Sequence, residues 1–450
     1  MAGEAEWRNV LLGDLAASTR NALVGGPFGS DLVSSDYSST GVPVIRGENV
    51  SSGRWIGGDF VFVPPAKAEQ LSANTAGPLD IVFTQRGANH YRQVALVPTD
   101  SVRRLVISQS QMKLTVDPRK VDPLFIYYLF RAPTQQEYLQ RNAIQTGVPH
   151  TNLSILKKTP LCIPSLPTQR AITRILGSLD DKIELNQRMN ETLEAIGRAL
   201  FKSWFVDFDP VRAKSEGRGP SLPSPLADLF SDAFEDSEQG KVPKGWKVRE
   251  LGELTTYLNR GISPTYAEDR GVLVLNQKCV RDGRVETSIG RRHNPSARPV
   301  QDRLLRVGDV LVNSTGIGTL GRVGQLLLVD EDTIVDSHVT VVRADERIVS
   351  WNYLGIDLSG RMDEIEALGE GSTGQTELSR ARLLSLLTLV PPRELIEKFD
   401  EISISLRKRS AFNERESRTI SGLRDTLLPK LISGEVRIED AERFVAEAAA

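Results

Sequence analysis

Apolar residues recur with helical spacing between residues 172 and 200. On a seven-residue interval the positions are Ile172, Leu179, Asn186, Leu193 and Leu200. A seven-residue apolar repeat is typical of a helix that packs along another helix. Asn186 interrupts this apolar stripe, and a buried Asn is a residue that fixes the register of a coiled coil.

The same pattern occurs a second time near the end of the chain. Its positions are Phe399, Leu406, Asn413, Ile420 and Leu427, with the same polar exception in the middle. The chain therefore contains its long helix twice.

The asparagines indicate how the two helices meet. Each lies at the midpoint of its repeat, so an antiparallel pairing of Asn186 with Asn413 gives every apolar position an apolar partner. A slip in register would leave an amide unpaired among apolar side chains, which is costly. In the alternative, both amides face solvent and each helix packs on its own domain. We predict the antiparallel coiled coil.

The repetition extends upstream of both helices. Trp7 with LGDL at 12–15 corresponds to Trp246 with LGEL at 251–254, and LDIVFTQRG at 79–87 corresponds to GDVLVNSTG at 308–316. Further matches join Ser110 to Ser337, Thr146-Gly147 to Thr373-Gly374, and Pro164 to Pro391. The sequence predicts two diverged copies of one domain, each followed by a long helix.

Each copy alternates short β-branched or aromatic runs with Gly, Pro, Asn and Ser clusters, so we predict an α+β domain on one twisted, mostly antiparallel sheet. Short helices are predicted at 122–131, 134–142 and 350–367. Residues 209–245 are rich in Pro and Gly and predict an extended connector with at most one short helix near 225–235. The last ten residues predict a short helical tail.

Composition limits the class of protein. The 450 residues carry a net charge of −2, which counts mildly against a strong stand-alone DNA binder. Two cysteines suit a reducing compartment and cannot support a disulfide framework. No basic region precedes an apolar run at the start, and no apolar stretch reaches membrane-spanning length. We therefore expect a cytoplasmic protein.

Catalytic motifs are missing from the sequence. GIGTLG at 316–321 matches a dinucleotide fingerprint in letters, but a strand-like run follows it where the fingerprint needs a helix. No Walker motif and no Asn/Asp-Pro-Pro-aromatic tetrapeptide occurs, and the four histidines lack metal-ligand spacing. The loops instead offer Arg, Gln, Asn, Ser and Thr beside glycines at matching places in both copies. Such side chains reach base edges or phosphates, although ordinary polar turns have the same composition.

The order of these parts resembles the specificity (S) subunit of Type I restriction-modification systems, over nearly the whole chain. The resemblance rests on PFGSDL at 27–32, IPSLPTQRAITRILGSLDDKIELNQRMNETLEAI at 163–196, ALFKSWFVDFDPVRAK at 199–214, VPKGW at 242–246 and LRDTLLPKLISGEVRI at 423–438. One departure is VPPRELIEKFDEI at 390–402, which lacks the usual Glu-Gln pair after its prolines.

The resemblance implies an α+β fold in which two repeated target-recognition domains are separated by two long helices that form an antiparallel coiled coil. The implied segments are recognition domain 1 at 1–165, helix 1 at 166–208, the connector at 209–245, recognition domain 2 at 246–391, helix 2 at 392–434 and the tail at 435–450. The 28 residue steps from Ile172 to Leu200 give a helix about 42 Å long. One DNA turn measures about 34–36 Å. The helices are therefore expected to act as a spacer of about one turn.

The resemblance also implies a division of labour. Each recognition domain reads one half of a bipartite, asymmetric sequence in double-stranded DNA. Two methyltransferase (M) subunits bring S-adenosylmethionine and methylate adenine at N6, and restriction (R) subunits with ATP and Mg cleave. No cofactor or metal, no membrane and no catalytic residue is expected for this chain. Methylation within a duplex requires base flipping, which needs DNA held firmly on both sides.

The expected DNA-binding residues lie in the polar loops. They are Phe28, Gly29, Ser30, Arg46, Asn49, Gln85, Arg86, Gly87, His90, Gln109, Gln111, Thr146, Gly147, Asn259, Arg260, Asn276, Gln277, Lys278, Asn313, Ser314, Thr315, His338, Thr373, Gly374 and Gln375. Among these, Gln85, Arg86, Gln111, Asn276 and Gln277 are the expected base readers.

Three other functions are compatible with the sequence. One is an inactive or adaptor S-like scaffold that does not read DNA. Another is an enzyme with an unrecognised site, and the third is a sequence-specific regulator that acts without a methyltransferase.

Overall fold

The structure, a computed structural model, describes residues 7–50, 53–86, 93–101, 104–219, 221–268, 270–281, 283–371 and 376–449. The chain forms two compact units. The first unit contains residues 1–185 and 416–450, and the second unit contains residues 186–415. Within the described ranges, no helix has the length and apolar character needed to cross a membrane.

The first copy of the repeat, residues 7–165, lies in the first unit. Its strands are β1 (Arg8–Leu11), β2 (Leu23–Gly25), β3 (Val42–Ile45), β4 (Val61–Val63), β5 (Thr75–Ala76), β6 (Ile81–Thr84), β7 (Val94–Leu96), β8 (Leu105–Ile107), β9 (Gln111–Leu114) and β10 (Pro160–Ile163). Its helices are α1 (Pro65–Gln70), α2 (Pro123–Arg131), α3 (Pro133–Asn142) and α4 (Leu153–Lys157).

Eight of these strands, β2 to β9, form two four-stranded sheets rather than the one sheet predicted from the sequence. The main sheet has the order β2-β9-β6-β7 and is antiparallel throughout. The side sheet has the order β4-β3-β8-β5, with β3 parallel to β8. Since successive side chains of a strand point to opposite faces, Ile81 and Phe83 of β6 pack in the core with α2, while Val82 packs in the core with the side sheet. The main sheet is thus buried on both faces.

Helix α2 covers the outer face of the main sheet and begins at a strong capping signal. Asp122 accepts hydrogen bonds from the backbone N–H groups of Leu124 (2.9 Å) and Phe125 (3.3 Å), and Pro123 occupies the first turn. Its apolar residues from Phe125 to Phe130 are buried. The helices predicted at 122–131 and 134–142 are both present.

The long helix α5 (Leu166–Phe201) follows the first copy and ends in a π-helical turn at Lys202–Val206. The segment after it is folded, so the predicted extended connector at 209–245 is wrong. It contains α6 (Asp209–Ser215), α7 (Ser224–Ala227), β11 (Phe234–Ser237) and β12 (Gly240–Pro243).

The prolines of this segment explain the error. Pro210 and Pro225 lie in the first turns of α6 and α7, where a missing N–H costs nothing. Val211 and Phe230 are buried in the same core as Trp246 of the second copy. The segment therefore belongs to the core of the second unit.

The second copy, residues 246–391, lies in the second unit. Its strands are β13 (Lys247–Glu250), β14 (Thr255–Arg260), β15 (Tyr266–Ala267), β16 (Val272–Leu275), β17 (Val280–Arg281), β18 (Arg284–Val285), β19 (Arg291–His293), β20 (Val310–Asn313), β21 (Val323–Gln325), β22 (Thr333–Val335), β23 (Val339–Ala344) and β24 (Leu387–Val390). Its helices are α8 (Trp351–Gly360), α9 (Met362–Ala367) and α10 (Arg380–Leu384), so the helix predicted at 350–367 is divided at Arg361.

The second copy repeats the architecture of the first. Its main sheet is β14-β23-β20-β21 and its side sheet is β15-β19-β16-β22, in which β16 is parallel to β22. Strand β13 pairs with β24, as β1 pairs with β10. The duplication and the α+β class predicted from the sequence are confirmed.

The second long helix, α11 (Arg393–Ser433), is followed by α12 (Ile438–Ala449), which is the predicted helical tail. In the first unit, the last part of α11 packs with the first part of α5. Ile172, Leu179 and Leu427 lie in one buried cluster, and Ile420 packs against it. Arg424 forms a 2.7 Å ion pair with Asp180. These are the apolar layers that the heptad pattern predicts.

In the second unit, an amide layer joins the remaining parts of the two helices. The Asn186 amide donates to the main-chain oxygen of Asn413 (3.3 Å), and the Asn413 amide donates to Oδ1 of Asn190 (2.8 Å). Asn190 in turn donates to the main-chain oxygen of Ser410 (3.3 Å). The antiparallel pairing is confirmed, and the amide layer contains Asn190 and Ser410 in addition to the two predicted asparagines.

Leu200 packs against the aromatic core of the second unit, which contains its predicted partner Phe399. Leu193 and Leu406, the remaining predicted pair, are both half-buried.

Each copy docks on its own part of the helices through polar contacts. In the first unit, Arg54 forms ion pairs with Asp181 and, at 3.2 Å, with Glu184. In the second unit, Asn352 donates to Asp400 at 2.7 Å and to Ser403 at 2.5 Å. These contacts fix each main sheet relative to the helix segments of its own unit.

Candidate nucleic-acid interface

Polar loops gather at one end of the main sheet in the first copy. Strand β2 ends there, β6 ends there and β9 begins there. The N–H of Gly26 donates to Gln111 O (2.8 Å) and the N–H of Gln85 donates to Ser110 O (2.6 Å), so the loops after β2, after β6 and before β9 are held together. We call this edge the loop end of the copy.

A fourth segment, residues 143–151, reaches the loop end from the α3–α4 connection. The N–H of Thr151 donates to Gln85 O (3.0 Å), and Arg86 forms a β-bridge with His150. Thr146 and Gly147 in this segment are exposed, and Gly147 has a φ of +79° that favours glycine.

The second copy has a loop end of the same construction. The N–H of Gly261 donates to Val339 O (3.1 Å), that of Ser314 donates to His338 O (2.8 Å), and that of Leu378 donates to Ser314 O (2.9 Å). The loop end is therefore a duplicated feature. The shared hydrogen bond also shows that Ser110 corresponds to His338, one residue after the Ser337 predicted from sequence.

The motif GIGTLG forms the loop between β20 and β21 at this loop end. Gly316, Gly318 and Gly321 have φ values of +108°, +68° and +76°, a region that other residues rarely adopt. The glycines thus serve a tight loop that runs into a strand, and no helix follows them to hold a pyrophosphate.

Four predicted DNA contacts are wrong, because their side chains are buried inside the loop ends. Asn49 accepts from Arg46 N (2.8 Å) and donates to the carbonyls of Gly57 and Asp59. Gln111 is fully buried beside Ser108, Asn313 donates to Gln277 O (2.9 Å), and Ser314 bonds to Thr340. These residues shape the loops and do not reach a ligand surface.

Other predicted residues brace the loops while lying at or near the surface. Gln109 donates to the carbonyls of Gly29 (3.0 Å) and Leu32 (2.7 Å), and Arg46 is ion-paired with Glu48. Arg260 is ion-paired with Glu377 and donates to Leu378 O (2.7 Å). Asn276 caps the turn that carries Gln277 and Lys278, by accepting from Lys278 N at 2.8 Å. Asn259 and Gln277 are half-buried.

The remaining predicted residues are available at the loop ends. Phe28 is 85% exposed and is followed by exposed Gly29 and Ser30. Arg86, Lys278 and His338 are exposed, and Thr315 bonds to Nδ1 of His338 (2.7 Å). Five predictions, namely Gly87, His90, Thr373, Gly374 and Gln375, lie outside the described residues.

The loop end of the second copy contains one carboxyl group with a shifted pKa. Burial raises the pKa of Asp336, whose Oδ1 accepts a 2.9 Å hydrogen bond from the N–H of His338. A raised pKa means that burial disfavours the carboxylate charge at this position. This carboxyl thus holds the turn that presents His338.

Sequence reasoning missed two kinds of residue at the loop ends. Ile317, in the GIGTLG loop, is 87% exposed, and a pattern of polar side chains beside glycines does not indicate it. Arg291, Arg298 and Arg303 lie beside the loop end of the second copy, and the signal available for them was the arginine density of residues 281–306. Among the described residues, no group of His, Cys, Asp and Glu is arranged to hold a metal ion.

Comparison with known proteins identifies relatives along most of the chain. The family described as "Type I restriction modification DNA specificity domain" matches residues 29–195. The specificity subunit of the Type I restriction enzyme HindI from Haemophilus influenzae is 26% identical, over 74% of this chain and 81% of the relative. The MjaIX specificity subunit from Methanocaldococcus jannaschii is 24% identical, over 70% of this chain and 69% of the relative.

A solved structure has the same fold. The S subunit of a Type I restriction-modification system from M. genitalium superposes with a TM-score of 0.56 at 16% identity, over 96% of this chain and 97% of that one. In its sequence, its duplicated domain and its paired helices, the chain is thus similar to the specificity subunits of Type I restriction-modification systems.

Proposed function

We propose that this chain recognises a bipartite, asymmetric sequence in double-stranded DNA and directs partner subunits to it. Each unit reads one half of the sequence through its loop end. The chain itself is non-catalytic, and it acts in the cytoplasm, where chromosomal and invading DNA are found. Partner methyltransferase subunits methylate adenine at N6, and partner restriction subunits cleave.

The duplicated loop end is the observation that carries this proposal. The same main-chain hydrogen bonds assemble the same loops in both copies, while the exposed side chains on those loops differ. A conserved scaffold with different side chains on each copy is what reading two different half-sequences requires, because base identity is read by side chains in the grooves.

The exposed side chains supply the chemistry for reading. In the first unit, Arg86 can donate two hydrogen bonds to the O6 and N7 atoms of guanine, and Phe28 can contact a thymine methyl or a base face. In the second unit, Lys278 and His338 provide donors at the corresponding edge. The glycines next to them allow the backbone to approach the DNA closely.

The cofactors for methylation and cleavage belong to the partner subunits. S-adenosylmethionine belongs to the methyltransferase subunits, and ATP with Mg belongs to the restriction subunits. This chain would hold the duplex in register while the partner flips the target adenine out of the stack, which costs a few kcal/mol of stacking and pairing energy. The two related helix segments offer the two methyltransferase copies equivalent docking surfaces.

Mapping of methylated adenines tests the proposal. The chain is co-expressed with the methyltransferase encoded beside it, and methylated positions are read genome-wide with and without the chain. A bipartite asymmetric motif that disappears on deletion of this chain supports the proposal. Unchanged methylation with an active partner would favour the adaptor function instead.

A further inference from the structure

The side sheets of the two copies differ strongly in charge. Residues 281–306 of the second copy contain seven arginines, Arg281, Arg284, Arg291, Arg292, Arg298, Arg303 and Arg306, against the acids Asp282, Glu286 and Asp302. The corresponding segment of the first copy, residues 51–77, contains only Arg54 and Lys67 against Asp59 and Glu69. The second copy has therefore gained positive charge on an otherwise shared element.

One pair of corresponding residues shows how this charge reaches the loop end. In the first copy, Asn74 donates to the carbonyl of Gly25, at the end of β2 (2.8 Å). In the second copy, Arg303 donates to the carbonyl of Arg260, at the end of β14, through one nitrogen (2.9 Å). The main-chain contact is the same, but Arg303 adds a permanent positive charge and further N–H groups.

Two further arginines lie beside the same loop. Arg298 donates to the carbonyl of Ser263 through one nitrogen (3.4 Å), and Arg291 stacks on the ring of Tyr266, with 3.3 Å between its guanidinium carbon and the ring centroid. All three arginines are exposed. In the described parts of the chain, none of the three forms an ion pair, whereas their neighbour Arg292 is ion-paired with Glu331.

We propose that Arg291, Arg298 and Arg303 bind backbone phosphates of the DNA beside the half-sequence that the second unit reads. This rests on the function proposed above. Each guanidinium is positioned by a contact with the segment 260–266 and keeps free donors, which is the arrangement that phosphate binding needs. No corresponding cation lies at Asn74 in the first unit, so the two units hold DNA with unequal electrostatic contributions.

The salt dependence of DNA binding measures such contacts directly. The assay uses the complex of the full chain with its methyltransferase subunits, on a DNA fragment that contains its methylated motif. Each phosphate contact contributes about 0.9 to the slope of log K against log salt concentration. The variants Arg303→Asn, Arg298→Gln and Arg291→Gln are each expected to lower that slope by about 0.9 and to weaken binding about fivefold at about 0.15 M salt. The methylated motif should remain the same.

Arg303→Asn is designed to keep the fold, because asparagine makes the equivalent main-chain contact in the first copy. Arg292→Gln serves as the matched control on the same strand, and Lys67→Gln serves as the control on the side sheet of the first unit, where Lys67 is ion-paired with Asp36. Neither control should change the slope.

The outcomes separate this inference from the proposed function. An unchanged slope and affinity in all three variants, with the methylated motif retained, overturns the phosphate assignment and leaves the proposed function intact. A changed motif in the second half-sequence also overturns it, because the arginines would then read bases. Loss of the function itself would appear in the unmodified complex, as methylation that does not depend on this chain.

Discussion

The two copies share the residues that hold their main sheets and differ in the residues that face outward. In both copies an Asp before the central strand caps a turn and holds a cation across the sheet. Asp80 accepts from Gly77 N (2.8 Å) and pairs with Lys113, while Asp309 accepts from Arg306 N (2.8 Å) and pairs with Arg343. At the loop ends, by contrast, Phe28 and Arg86 of the first copy correspond to Ser263 and Thr315 of the second. The exposed loop side chains thus differ between the copies, while the polar contacts that support the main sheets are shared.

The copies also differ in how they attach to the helices. In the second unit, the core around the long helices is aromatic. Phe399 contacts the rings of Phe201, Trp204 and Phe205 at centroid distances of 5.7, 6.1 and 5.1 Å. The matching heptad position in the first unit is the aliphatic Ile172, which lies in a buried cluster of mixed aliphatic and aromatic side chains. The heptad pattern thus determines which helix positions are buried, and each unit surrounds these positions with its own core residues.

The largest expected effect on stability follows from removing Phe399 from the aromatic core of the second unit. Phe399→Ala is expected to destabilise the second unit by about 3–5 kcal/mol, because it removes a fully buried ring from a packed cluster. Ile172→Ala should destabilise the first unit by about 2–5 kcal/mol. Hydrogen-exchange mass spectrometry distinguishes the two units. Equal loss of protection in both units from either variant would contradict their separate cores.

The buried ion pairs Asp309–Arg343 and Asp80–Lys113 are expected to contribute unequally to stability. Asp309→Asn is expected to cost about 3–5 kcal/mol, because Arg343 then remains charged and half-enclosed without its partner. Asp80→Asn should cost less, since the flexible four-carbon stem of Lys113 lets its ammonium group reach solvent when the partner is lost. Denaturant unfolding of the two variants measures the difference. A loss that is equal for the two variants, or larger for Asp80→Asn, would contradict this order.

The two central asparagines are expected to differ despite their matching heptad positions. Asn413→Leu leaves Oδ1 of the buried Asn190 without its donor and should cost about 1–3 kcal/mol. The Asn186 amide donates to the main-chain oxygen of Asn413, which lies inside α11 and keeps its helical N–H donor, so Asn186→Leu should cost less than Asn413→Leu. Thermal unfolding of both variants tests this order, and equal effects would contradict the observed bonding.

The smallest effect concerns an acid-sensitive pair present in both copies. Arg119 and Arg347 hold the pKa of Asp117 and Asp345 at about 2, below the usual 3.8, chiefly through side-chain hydrogen bonds. A lowered pKa means that each pair adds stability above about pH 4 and loses it as the pH falls toward 2.

Removing either arginine should move the acid limb of the stability curve to higher pH by a fraction of a pH unit. Arg119→Ala and Arg347→Ala should act alike, as followed by circular dichroism between pH 2 and pH 5. The exposed ion pair of Arg218 with Glu216 supplies the control variant Arg218→Ala. A shift equal to that of the control would count against this assignment.

The helices were the most predictable part of the fold, because a seven-residue repeat with one central Asn constrains both direction and register. The amide layer was only partly predictable, since Asn190 lies off the repeat and its burial depends on the partner helix. The folding of residues 209–245 is not predictable from their composition, because proline at a helix start and proline in extended chain look alike in a sequence. At the loop ends, the sequence predicts Asn49, Gln111, Asn313 and Ser314 as ligand contacts, because polarity alone does not show whether a side chain forms its hydrogen bonds within a loop.

The central claim is that each unit reads one half of a bipartite sequence. The most direct test maps methylated adenines in cells that express the chain with Arg86→Ala and Thr146→Ala in the first unit, or with Lys278→Ala and His338→Ala in the second. We predict that each pair of substitutions relaxes one half of the motif and leaves the other half unchanged. A motif in which both halves change together, or in which neither changes, would contradict the claim.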